Sequence, residues 1–265
     1  MNQHLYLDIE TIPAQRLDVI DEIRAEKQAD LDSNILAIRP PGNIKKPESI
    51  AAWMTDEAPG KKQQLLDAFE ADVDAAYRKT GLDGAFGQIC VIGFSIGDEE
   101  PRTIWSPEWA APNCEGELLE DFACVLTDLI PANMARAMCV VGHNVAGFDL
   151  RYLAQRSIIK GIRPHQIIAS AAQAKPWESD KVFDTMVQWA GVGNRVKLDK
   201  LCKALSIPTP KKGIDGSKVW DEVKAGRIAD VAEYCADDVL ATRAVHRRMT
   251  FCPDQAPMGF EDVPA

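Results

Sequence analysis

A continuous apolar run, Ala137-Met138-Cys139-Val140-Val141, sits mid-chain with no polar residue to give it a wet face. Such a run reads as a strand covered on both sides, so helices must lie above and below the sheet that holds it. It ends in Gly142-His143-Asn144, a turn-rich exit. A helix follows, with Asp149, Tyr152, Leu153 and Arg156 at i, i+3, i+4 and i+7. Strand, turn and helix in succession point to an α/β fold. At 265 residues and 46% hydrophobic content, the chain suits one α/β domain with insertions.

Other elements are legible around this unit. Leu5–Glu10 reads as a first strand, 87–96 as a second, 103–105 as a short third, 117–130 as a helix and 230–249 as a final helix. Residues 13–85 form an insertion after the first strand, with helical pieces at 16–29 and 62–79 around the proline-rich link Arg39–Pro47. Within it, Trp53 and Phe69 read as helix-core residues rather than base-stacking platforms. Lys197–Leu205 is an amphipathic helix. Residues 1–250 are expected to form a single domain and 251–265, with three prolines, a disordered tail.

Three stretches carry acids at telling positions. In Leu5-Tyr6-Leu7-Asp8-Ile9-Glu10 the residues alternate, so Tyr6, Asp8 and Glu10 share one face and the two carboxylates project about 7 Å apart. An ordinary edge strand with solvated acids fits this stretch equally well. Asp149 begins the helix after Phe148, where it suits either an N-cap or a ligand. Asn144 also suits a simple turn. Tyr234 and Asp238 lie four apart on one helical face, whereas Asp237 is rotated by about 100° and reads as solvated. Ala232, Ala236, Val239, Leu240, Ala244 and Val245 mark the expected packed side of that helix. Any one stretch could be chance. In this order, over more than 220 residues, they offer four carboxylates and one phenol. That is the equipment to hold two hard divalent cations and aim a water at phosphorus.

The three stretches resemble the motifs of the DEDD superfamily of 3′-5′ exonucleases, in the subtype whose third motif carries Tyr. The likeness is to the proofreading domain of family B DNA polymerases, with motifs Asp-Ile-Glu, Gly-Tyr-Asn-x-x-x-Phe-Asp-x-x-Tyr-Leu-x-x-Arg and Tyr-Cys-x-x-Asp. The chain has Asp8-Ile9-Glu10, then Gly142-His143-Asn144 with Phe148-Asp149, Tyr152-Leu153 and Arg156, then Tyr234-Cys235 and Asp238. His143 stands where Tyr is common. Only 27 residues follow Asp238, so a stand-alone, polymerase-B-like bacterial exonuclease is expected rather than a polymerase.

The resemblance implies a ribonuclease-H-like mixed five-stranded sheet flanked by helices. It implies an antiparallel meander of three strands, with later strands parallel to the first. It also implies two Mg²⁺ or Mn²⁺ ions held by Asp8, Glu10, Asp149 and Asp238. Asp8 would bridge both ions, Glu10 and Asp238 would complete the ion that activates water, and Asp149 would hold the other. Tyr234 would orient the water. Thr11, Asn144 and Phe148 are the candidate substrate contacts, although Phe148 suits a core role as well. The implied substrate is the 3′ end of nucleic acid. Single-stranded DNA is favoured by the likeness to a proofreading domain, with RNA as the alternative. A third reading is a non-catalytic module that binds 3′ ends or a polymerase. A DNA polymerase or repair partner follows by analogy only.

Composition constrains the rest. Net charge is −10, unlike a strongly basic nucleic-acid binder. Residues 195–224 nevertheless hold eight Lys/Arg against four Asp/Glu. A weakly held, briefly visited substrate is expected, with binding that falls with salt. No apolar run reaches membrane-span length and no signal-peptide pattern opens the chain, so no membrane partner is expected. Seven cysteines without a Cys-x-x-Cys pair suit a reducing cytoplasm, and Cys235 reads as a small buried apolar group. Gly213 and Gly216 lack the Walker spacing, which excludes an NTPase; that loop reads instead as touching the substrate backbone.

Overall fold

The computed structural model describes residues 4–131, 133–175, 178–208 and 214–252. The chain divides into two compact units, Met1–Ile12 with Gln88–Ala265, and Pro13–Gly87. Gly213, the lysines at 211 and 212, and the tail from Pro253 lie outside the described residues.

The first strand, β1 (His4–Ile12), leads into the smaller unit, made of α1 (Leu17–Leu36), α2 (Pro47–Asp56) and α3 (Ala58–Lys79). Pro47 opens α2, where its fixed φ and missing N–H cost nothing. The proline-rich link is therefore shorter than expected and ends in a helix. Arg24 on α1 grips Glu70 on α3 with two 2.8 Å hydrogen bonds. Trp53 is buried, with Lys61 over its ring, and Phe69 is half-buried under Arg24, which agrees with helix-core roles.

The larger unit continues with β2 (Gln88–Ile96), β3 (Arg102–Trp105), α4 (Cys114–Leu129), β4 (Cys139–Gly142), α5 (Asp149–Lys160) and α6 (Gln166–Ala172). Then come β5 (Val182–Asp184), α7 (Thr185–Ala190), α8 (Leu198–Ala204), α9 (Val219–Lys224) and α10 (Ile228–Met249). Strand order is β3-β2-β1-β4-β5. The first three strands run antiparallel in a meander, while β4 and β5 run parallel to β1. The expected ribonuclease-H-like mixed five-stranded sheet is present. β1 lies at its centre, so the edge-strand reading of Asp8 and Glu10 is overturned.

Alternation along β1 divides the core. Leu5, Leu7 and Ile9 pack with Leu118, Phe122 and Leu126 of α4 and with Leu150 and Leu153 of α5. On the opposite face Tyr6, Ile12, Val91, Cys139 and Val141 meet α9 and α10. Full burial of such side chains contributes about 1.5–3 kcal/mol each. The inward side of α10 carries Val231, Cys235, Val239, Thr242, Val245 and His246. It is rotated from the expected side, for Ala236, Leu240 and Ala244 are only half-buried. Thr242 and His246 turn inward despite their polarity; for His246, Tyr6 on β1 offers Nδ1 a hydrogen-bonding hydroxyl at 3.0 Å.

Arg156 has a structural job. Its Nε and Nη2 donate to the buried Glu115 at 2.8 and 2.7 Å, and Glu115 also accepts from the Ile89 N–H at 2.9 Å. This pair ties α4, α5 and the start of β2 together. A buried charge without its partner costs about 3–5 kcal/mol. The arginine of the second motif thus anchors its helix.

Candidate active site

Asp8 and Glu10 stand on the face of β1 that α10 covers. The residue of β2 opposite Asp8 is Gly93. A Cβ there would lie 2.7 Å from Cys235 Sγ and 3.3 Å from Val239 Cγ2. Glycine lets α10 settle directly onto β1 and β2, as glycine within a strand often does where another element approaches closely. The Cys235 thiol then donates to Asp8 Oδ2 at 3.3 Å and approaches the Asp8 carbonyl at 3.6 Å. The expected apolar role of Cys235 is thus incomplete: it is buried and also a donor to a carboxylate.

Gly93→Ala should overpack this seam at a cost of about 1–3 kcal/mol. Adding Cys235→Ala to the same chain should recover most of that loss, because it removes the closest atom. Urea unfolding of the two single variants and the double variant measures the coupling. Strictly additive losses would show that the seam is not where the strain lies.

Asp149 arrives from the other layer. β1 pairs with β4 only through Tyr6, after which β4 turns away towards α5. The Ile9 N–H is taken up by Asp149 Oδ1 at 3.0 Å. The carboxylate at the start of α5 is thereby fixed beside the Asp8–Glu10 segment. The turn between β4 and α5 is itself braced. Asn144 adopts the left-handed conformation, φ 65°, which Asn tolerates. The carboxylate of Asp184, at the end of β5, accepts the N–H groups of Asn144 and Ala146 at 3.0 and 3.1 Å. It also accepts those of Met186 and Val187 at 3.0 and 3.2 Å. Asp184 thus caps α7 and braces the turn at once. His143 bridges Thr185 Oγ1 at 2.9 Å and the Val196 carbonyl at 2.8 Å.

Asp238 and Tyr234 rise on adjacent turns of α10, joined by a hydrogen bond from the phenol to the carboxylate. Electrostatics show how tightly the acids are gathered. Burial, then Asp149, Glu10 and Asp238, push Asp8 well above the usual carboxylate range. Burial, then Asp238 and Asp149, do the same to Glu10. Burial raises Asp149 to about 7 and Asp238 to about 6. Burial and the carboxylates also raise the Tyr234 phenol, which stays protonated. The groups that hold these carboxylates ionised are a thiol, backbone N–H groups and a phenol; among the described residues no lysine or arginine does so. Buried charges are ordinarily paired or bound to metal.

This donor set fits hard divalent cations, which take carboxylate oxygens. Oxygens of Asp8 and Glu10 and the Cys235 sulfur lie within 4.8 Å of one another. The thiol is a poor candidate ligand, since burial and the neighbouring carboxylates raise its pKa well above the usual value and only the thiolate ligates.

Beside Tyr234 and Asp238 opens a groove of about 970 Å³, lined also by His143, Asn144, Arg195 and Lys197. Asn144 therefore faces the expected substrate space. Phe148 packs half-buried against the core and beside Tyr152, at 5.3 Å between ring centroids, so its core role is the one realised. Thr11 is half-buried on β1, just past a β-bulge at Glu10/Thr11 where β2 carries the extra residue Cys90.

A five-stranded ribonuclease-H-like sheet with gathered carboxylates on its central strand is the architecture of this exonuclease class. A family model described as "Predicted 3'-5' exonuclease related to the exonuclease domain of PolB" matches residues 89–257, and the chain belongs to that family. The match includes Asp149, Tyr234 and Asp238, and begins after Asp8 and Glu10. No curated protein matches the chain. Among the described residues, no helix is long and apolar enough to cross a membrane.

Proposed function

We propose that the chain is a metal-dependent 3′-5′ exonuclease that hydrolyses phosphodiester bonds at the 3′ end of single-stranded DNA and releases nucleoside 5′-monophosphates. The observation that carries this reading is the convergence of Asp8, Glu10, Asp149 and Asp238 in one cluster to which, among the described residues, no cationic side chain is matched. Two bound Mg²⁺ or Mn²⁺ would neutralise the cluster, supply hydroxide near neutral pH and stabilise the charge that develops at phosphorus.

The chain's own groups have separate tasks. The four carboxylates would hold the ions, with Asp149 fixed by the Ile9 N–H and Asp8 by the Cys235 thiol. Burial and the neighbouring carboxylates raise the Tyr234 phenol, so its protonated hydroxyl would orient a water beside Asp238 as a hydrogen-bond partner. Asn144, on the groove wall, is the substrate contact we propose, with Thr11, next to Glu10, as a second candidate; Phe148, packed beside Tyr152, supports Asp149 from the core. We assign residues 1–250 to one catalytic domain interrupted by the 13–85 insertion, working in the cytoplasm. A polymerase or repair partner follows by analogy alone.

The decisive assay offers 5′-labelled single-stranded DNA and RNA with Mg²⁺, Mn²⁺ or chelator. We expect a DNA ladder that shortens from the 3′ end only with metal. Shortening of RNA alone would reassign the substrate, and no shortening of either polymer would remove the reading. Tyr234→Phe should slow kcat by about tenfold to a hundredfold without abolishing turnover, the cost of a misaimed water. Turnover equal to wild type would strip Tyr234 of its role.

A further inference from the structure

The segment 195–197 lines the groove and enters α8 through Lys197, which is extended at φ −74°, ψ 146°. In extended chain, successive side chains point to opposite sides. Val196 turns inward and packs against the cluster of Leu201, Cys202, Ala241 and Val245. Arg195 and Lys197, two apart, turn outward, are exposed, and line the groove together with Tyr234 and Asp238. Their backbone positions are about 7 Å apart by the strand rise. That separation is comparable with the spacing of neighbouring phosphates along one nucleic-acid strand.

The segment is held from behind. His143 takes the Val196 carbonyl at 2.8 Å, and its other ring nitrogen takes Thr185 Oγ1 at 2.9 Å. His143 belongs to the same turn as Asn144, which is braced by Asp184. The two cations are therefore tied to the framework that places Asp149. Among the described residues neither Arg195 nor Lys197 closes an ion pair. The nearby carboxylate of Asp215 accepts the N–H of Ser217 at 2.9 Å and the Ser217 hydroxyl, and feels the charges of Lys218 and Lys197 without closing an ion pair with Lys197.

We infer that Arg195 and Lys197 form a two-point clamp for consecutive phosphates of a single strand, and that His143 is the positioning residue that sets its distance from the acidic cluster. The inference rests on the exonuclease reading and adds a binding subsite to it. The clamp reads no bases, since both contacts go to the backbone. It places positive charge beside the acidic cluster of a chain whose net charge is −10. Met186, Leu198 and Ala241 give the same groove an apolar floor for sugar or base.

Two measurements test it. The first is binding of a fluorescent oligothymidylate in chelator, without turnover, as a function of salt. Each phosphate contact on a single strand contributes about 0.7 to the slope of log affinity against log salt. The double variant R195A/K197A should lose about 1.4 from that slope. The second compares an oligothymidylate with thymidine 5′-monophosphate p-nitrophenyl ester, which has no upstream phosphate. With metal, the variant's loss in kcat/KM on the strand should exceed its loss on the ester by at least about tenfold, mostly through KM.

His143→Phe should show the same strand-selective loss, and His143→Gln, which keeps a donor for Val196, should recover much of it. An unchanged salt slope, or equal losses on strand and ester, would overturn the clamp. Equal losses from His143→Phe and His143→Gln would overturn the positioning role. Failure of wild type on both substrates would instead overturn the exonuclease reading, while the salt slope would still decide the clamp.

Discussion

Asp8→Asn is expected to lower nucleotide release by about a thousandfold or more, the scale of losing charge stabilisation at the reacting phosphorus. The same substitution should make the metal-free protein more stable. Asparagine keeps the size of aspartate and an oxygen that can accept from the Cys235 thiol. It removes one of four like charges from a buried cluster that raises its own members' pKa values. Melting without metal at pH 8 should therefore rise by several degrees, and added Mg²⁺ should stabilise the variant less than wild type. At pH 5 the gain should vanish, because the wild-type cluster is by then largely protonated. A site built for folding would lose stability on such a change; one built for a ligand gains it. A less stable Asp8→Asn protein with full turnover would contradict both halves.

The second large effect is the dependence of stability on pH and metal. Asp149 at about 7 and Asp238 at about 6 lie above their ordinary value of 3.8. In the folded state they hold protons that the unfolded chain has already released. Their contribution is fully present below about pH 4 and is lost as pH rises through about 7. His246 has the opposite sign. Burial lowers it from 6.5 to about 4, so its contribution is lost as pH falls through that interval. The two windows overlap, and the raised carboxylates outweigh the single imidazole, so metal-free stability should be highest near pH 4 and fall by several kcal/mol towards pH 8. Saturating Mg²⁺ should restore most of the loss at pH 8 and little at pH 5, since the ions bind only the ionised carboxylates. Thermal melts at both pH values, with and without Mg²⁺, measure this. An equal Mg²⁺ effect at the two pH values would place the ion elsewhere.

Much of this was legible from residue order alone. Alternation in Leu5–Glu10 correctly put Asp8 and Glu10 on one face, and the spacing of Tyr234 and Asp238 put them on one helical side. The polar residues at the site are also the ones whose local pattern is most regular. What the pattern could not supply was the long-range partner. β5 is three residues long and too short to show any periodicity. The phase of α10 differs from the expected one because Thr242 and His246 turn inward, and the partner of His246 is Tyr6, 240 positions away. Gly93 did carry a signal, an isolated glycine inside an apolar strand, yet what approaches it, Cys235, lies far along the chain. Arg156 looked like one more member of a helical stripe, and only the fold brings Glu115 to it. Periodicity reports which face a side chain occupies; it is silent on what the other side of the contact will be.

The central claim is that Asp8, Glu10, Asp149 and Asp238 together bind divalent ions. Titration of Mn²⁺ into the protein at pH 8, with free ion followed by its electron paramagnetic resonance signal, tests this most directly. The account predicts two ions bound per wild-type chain and no more than one per Asp8→Asn chain. Identical free-Mn²⁺ curves for the two proteins would contradict it.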